Sequence, residues 1–129
     1  MKEPVITCTP QGEMTVQSDV LEMLNHDFNI QLVHIKDSMA KCHAIMKHAQ
    51  MCHHNKDEHS ALRYCEMAMF LVVRGHFLHD YGKEAAQMIH EVDSMLCSLT
   101  SSDDEYVWEV ASQREGELRC WYPKLVEVV

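Results

Sequence analysis

Ten histidines and six cysteines are the side chains of this 129-residue sequence best suited to chemistry, and they are unevenly spread. Between His43 and His59, His48 and Cys52 stand four apart, His53 and His54 follow at once, and His59 comes after a short polar break. Side chains four apart share a helix face. If two helices turn back on each other at Asn55 and Lys56, positions whose numbers sum to about 111 oppose one another, and Cys52 comes near His59. His48, Cys52 and His59 are then candidate ligands for copper or zinc, and the interleaved Met39, Met46 and Met51 offer thioethers suited to Cu(I). The same register brings His34 toward His76, with His79 and Asp80 one turn on. The plainer role for these residues is structural: imidazoles hydrogen-bonded or solvated at half-exposed positions, and methionines filling an irregular helical core.

Motifs of higher specificity are absent. The sequence has no Cys-x-x-Cys, no His-Glu-x-x-His and no Glu-x-x-His, so zinc-ribbon, zincin and di-iron patterns are missing. Four glycines form no phosphate-cradling loop. Cys42 or Cys65 could meet a histidine across the helix pair as a nucleophile, but both fall on an apolar stripe, where cysteine acts as a small hydrophobe. No credible active site emerges. The carboxylates Asp103, Asp104 and Glu105 stand where a helix begins, and Trp121 and Tyr122 form the densest aromatic spot, so these five are the candidate partner-binding residues. Capping explains the former and core closure the latter in the plainer reading.

Composition narrows the classes further. Eleven basic against twenty acidic residues give a formal charge of −9, which provides no footprint for a phosphate backbone and predicts no direct nucleic-acid binding. Protonating all ten histidines would reverse the sign, so the chain crosses neutrality near its pI of about 5.5. No 18-residue apolar run is present to span a membrane. Met1-Lys2-Glu3-Pro4 leads into no apolar stretch, and the cysteine content is below that of a disulfide scaffold. Together these predict a cytoplasmic protein with reduced thiols.

The elements that must position these residues are mostly helices. Between Gly12 and Gly75 no glycine or proline occurs. Leu21, Leu24, Phe28, Leu32, Ile35, Met39, Cys42, Met46 and Ala49 recur with a period of about 3.5, the seam of a coiled-coil-like helix. Asn55 in a left-handed conformation and Asp57 as a cap predict a tight turn. A second helix carries Leu62, Cys65, Met69, Val72 and His76 on one stripe and Phe70, Val73, Phe77 and Tyr81 on another, and Gly82 ends or bends it. Ala85 to Leu99 repeats the spacing. A fourth helix follows the capping-box spacing of Ser102 and Glu105, burying Val107, Val110, Ala111 and Leu118 and stopping at Pro123.

Val5 to Thr9 and Glu13 to Gln17 flank Pro10-Gln11-Gly12 as a β-hairpin, which the strand-like Leu125 to Val129 can extend. The expected fold is therefore mainly α, one domain over residues 1–129. It is a helical bundle built on a long antiparallel helix hairpin, with residues 1–17 as a β-hairpin arm, 18–99 as helical core, and 100–129 as fourth helix and extended segment. Unbroken helices of about 37 residues would run about 55 Å, which demands either a break near Asn25 to Asn29 or a homodimer burying the surplus seam. For function, the sequence suggests a non-enzymatic acidic module, such as an inhibitor, immunity-type or regulatory factor, occupying a basic site on a partner protein. A His/Cys/Met metal-binding protein is the alternative.

Overall fold

The structure, a computed structural model, describes residues 6–8, 14–16, 18–30, 37–75 and 77–122. It is mainly helical. Two three-residue strands, β1 (Ile6–Cys8) and β2 (Met14–Val16), pair antiparallel with Ile6 opposite Val16. Among the described residues six helices follow: α1 (Ser18–Phe28), α2 (Met39–His54), α3 (Glu58–Arg74), α4 (Phe77–Tyr81), α5 (Lys83–Leu99) and α6 (Glu105–Trp121). The segment Leu125 to Val129, expected as a third strand, lies outside the described residues.

The single helix expected from Ser18 to His54 is divided. α1 stops at Phe28 because Asn29 takes a left-handed conformation (φ 55°), and Ile30 folds back, its N–H donating to the Leu24 carbonyl at 2.9 Å while both side chains are buried. Asparagine tolerates that conformation and the apolar contact closes the end. A break of this kind removes the surplus seam, so helix length no longer requires a second copy.

The next turn falls where expected but with a different residue in the strained position. Lys56, not Asn55, has positive φ (64°), and the N–H groups of Lys56 and Asp57 return to the carbonyls of His53 and Cys52, the two bonds of a Schellman motif. Asp57 then caps α3 by accepting from the Ser60 N–H at 3.3 Å. α2 and α3 pack on each other more extensively than any other pair, and α5 packs against α3, α2 and α6. α6 lies on α5 and α3.

α3 ends earlier than the expected Tyr81. A Cβ on Gly75 would stand 2.4 Å from Phe77 Cε1 and 2.8 Å from the Leu71 carbonyl, so the chain turns at Gly75 to let Phe77 close onto the core. Gly82, at φ 48°, makes the second corner and starts α5. The core is contiguous from Leu24 to Leu118 and draws on every helix, with α3 contributing most. Among the described residues three polar side chains are buried in it: Ser38, Glu66 and Arg114.

Candidate functional site

The three candidate metal ligands have separate surroundings. His48, exposed on α2, sets its ring against Phe28 (centroids 5.4 Å apart) and Tyr64 (5.6 Å). Cys52 is half-buried, and burial together with the Asp57 carboxylate pushes its thiol up. His59 turns around α3 to meet α6, where Nε2 lies 2.8 Å from Asp104 Oδ2 and the ring stacks on Tyr106 at 5.6 Å and 8°. His48 on α2 and Tyr64 on α3 meet across the helix pair, whereas His59 is engaged by Asp104 and Tyr106 at the start of α6. Among the described residues, no three His, Cys, Asp or Glu side chains are grouped so as to hold one metal ion. Of the second histidine set, His34 and His76 lie outside the described residues, and His79 pairs with its neighbour Asp80 at 3.1 Å.

The cysteines proposed as nucleophiles are enclosed. Burial pushes the Cys42 thiol up to about 12, and Cys65, fully buried beside Glu66, is raised further still. Both shifts disfavour the thiolate that a nucleophile requires.

α6 brings the remaining candidates into one picture. Asp104, rather than Ser102, is its N-cap: the carboxylate accepts from the Val107 N–H at 3.2 Å, while Ser102 Oγ accepts from the Asp104 N–H. His59 and these cap bonds hold the Asp104 carboxyl below its usual range. Asp103 and Glu105 are exposed beside it. Tyr122 is half-buried against the core, with its hydroxyl pushed up by burial, and the Trp121 side chain lies outside the described residues. The expected buried stripe, Val107, Val110, Ala111 and Leu118, faces inward.

Two features of α6 escaped the sequence reading. Trp108 is 40% exposed, one of two large hydrophobic residues so placed among the described residues, and Asp104, Glu105 and Glu109 are exposed around it. Its position next to Val107, off the apolar stripe, was the available signal. On the opposite side Arg114 is fully buried, its Nε donating to Glu66 Oε2 at 2.8 Å and its Nη1 to both oxygens of Glu117 at 2.8 Å. Arg114 stands three and four residues beyond Ala111 and Val110, so it too was readable as an inward position. Burial outweighs the attraction of Arg114 and pushes the Glu66 carboxyl up to about 7.

Elsewhere, an open groove of about 400 Å³ runs between α2 and α5, lined by Gln50, Gln87, His90, Glu91 and Met95 among others. It brings polar groups together without pairing a nucleophile to a base. At the α5–α6 contact Asp93 Oδ1 and Glu115 Oε2 are buried with no hydrogen-bond partner among the described residues. Burial and the Glu115 charge push the Asp93 carboxyl up.

No known protein family, curated protein or solved structure matches the chain. Among the described residues no helix is long and apolar enough to cross a membrane.

Proposed function

We propose that the protein is a non-enzymatic, acidic protein-interaction module of the inhibitor, immunity or regulatory kind, acting in the cytoplasm without a cofactor. In this reading the outer face of α6 occupies a basic site on a partner protein. The bundle, built on the α2–α3 hairpin with β1 and β2 as an N-terminal arm, serves to present that face. The observation that carries the reading is Trp108, 40% exposed on a stretch of α6 where Asp104, Glu105 and Glu109 are exposed too. An exposed indole is an anchor that gains most when a partner covers it. Its face attracts a guanidinium or ammonium, and the carboxylates around it favour the same cations. Glu105 and Glu109 stand four apart on the helix, a like-charge pair that a partner cation would relieve. A copper or zinc site at His48, Cys52 and His59 has less support, since His59 is engaged by Asp104 and Tyr106 and His48 by two aromatic rings.

The test begins with capture from extract at low salt, followed by identification and purification of the bound protein. The purified partner is then titrated calorimetrically against the full chain. Saturable binding is expected, weakened about tenfold or more by Trp108→Ala and by Glu105→Lys with Glu109→Lys. Affinity that ignores both variants, or no capture at low salt, overturns the reading.

A further inference from the structure

Arg114 faces two carboxylates from a fully enclosed position. Its side chain has no exposed surface, that of Glu66 is 2% exposed and that of Glu117 20%. Glu66 on α3 accepts from Nε at 2.8 Å, and both oxygens of Glu117, one turn along α6, accept from Nη1 at 2.8 Å. One cation between two carboxylates leaves a surplus negative charge in the interior, where an uncompensated charge is neutralised rather than tolerated. Arginine does not give up its proton, so the cluster becomes neutral only by binding one.

The two carboxylates are not equivalent. Glu117 reaches solvent and spreads its charge over two hydrogen bonds, whereas Glu66 is almost fully buried and accepts from Arg114 through Oε2. The groups acting on Glu66 are Arg63 and Cys65 from its own helix and Tyr106, Arg114 and Glu117 from α6. The buried residues of α2, α4 and α5 are apolar, with Cys42 their one titratable group, and its thiol is neutral. Among the described residues the further cation acting on Glu66 is Arg63, part-exposed on its own helix, and the buried residues of α2, α4 and α5 add none.

We propose that Glu66, Arg114 and Glu117 form a proton-binding latch between α3 and α6, in which Glu66 takes up one proton and so holds α6 against the core. The proton comes from water and adds to Oε1 of Glu66. Oε2 remains the acceptor for Arg114, and the cluster changes from a net charge of −1 to zero. The upward push on the Glu66 carboxyl, to about 7, agrees with this placement. Loss of that proton restores the surplus charge and weakens the seat of α6. The latch belongs to the fold and does not depend on what α6 binds.

Infrared spectroscopy of the full chain reads the proton directly. The carbonyl band of a protonated carboxyl group is expected in the wild type at pH 6, lost at pH 8, and absent at both from Glu66→Gln. Denaturant unfolding gives an independent readout. The ratio of the wild-type unfolding constant to that of Glu66→Gln should rise about tenfold per pH unit between pH 5 and 6.5. Glu117→Gln, at a part-exposed position, removes the surplus charge and should shift the band to lower pH, which keeps the test alive if Glu66→Gln fails to fold. A wild type without the band at pH 6, a flat ratio, or a band indifferent to Glu117→Gln overturns the latch.

Discussion

Among the described residues, two hydrogen-bonded pairs of ionisable side chains join α3 to α6 and its cap, and the two joints behave oppositely. At one end His59 meets Asp104 at 2.8 Å with both side chains about half exposed, 50% and 43%. Further along, Glu66 meets Arg114 at the same 2.8 Å with both buried. Distance therefore does not distinguish them, and solvent does. In water the His59 contact favours the charged form of Asp104 and lowers its carboxyl, whereas in the interior the loss of hydration outweighs the nearby guanidinium and raises that of Glu66. The signs of their linkage follow. Asp104, with its folded value lowered, contributes stability that is present above its ordinary value near 3.8 and lost as pH falls. Glu66, raised from 4.5 to about 7, contributes stability that is full below 4.5 and lost as pH rises through about 7.

The largest break in this contrast comes from removing Arg114. Arg114→Ala leaves Glu66 buried without its partner and opens a void at a fully enclosed site, so equilibrium denaturation should show a loss of about 3–5 kcal/mol. Glu66→Leu combined with Arg114→Met replaces the pair by apolar groups of similar length. Most of that loss should be recovered, because burying a pair costs nearly as much as the pair returns. A double variant as unstable as Arg114→Ala would mean that the buried joint is worth more than its desolvation.

The helices were legible in the sequence and their joints were not. Val107, Val110, Ala111 and Leu118 were readable as the inner face of α6 because apolar spacing reports burial directly. Glu66 and Arg114 occupy the same inward positions, but a charged residue on an apolar stripe reads as an interruption until its partner 48 residues away is known. Likewise the spacing of His48, Cys52 and His59 suggested shared chemistry. Spacing fixes which turn of a helix a side chain occupies, and the direction of His59 is decided by α6, which arrives 45 residues later at Asp104. The ends of helices were partly legible: Asp57 caps as its type suggests, while Gly75 ends α3 through a contact with Phe77 that only packing reveals.

A smaller effect is expected on the outer face of α6. Gly116 is exposed in mid-helix, and a Cβ there would meet nothing within 4 Å. Gly116→Ala should therefore stabilise the protein by roughly 0.5–1 kcal/mol, seen as a higher denaturation midpoint with an unchanged slope. Trp108→Ala, on the same outer face, should shift stability by no more than about 0.5 kcal/mol, since little of the core depends on it. If Trp108→Ala instead unfolds the chain, the indole is structural and cannot serve as a free anchor.

The smallest effect is the most specific to the exposed joint. Asp104→Asn keeps an oxygen to cap α6 through the Val107 N–H and removes only the charge that faces His59. Stability of the wild type and the variant should differ slightly above pH 4 and converge below it, where Asp104 is itself protonated. The difference should also shrink in high salt, because both partners are in solvent, while the Glu66 effect should be nearly insensitive to salt. Measuring both variants across one pH and salt series sets the two joints side by side. Opposite pH slopes with unequal salt sensitivity are what solvent exposure alone produces at equal distance, and parallel slopes would show that the protein, rather than water, sets the local field at Asp104.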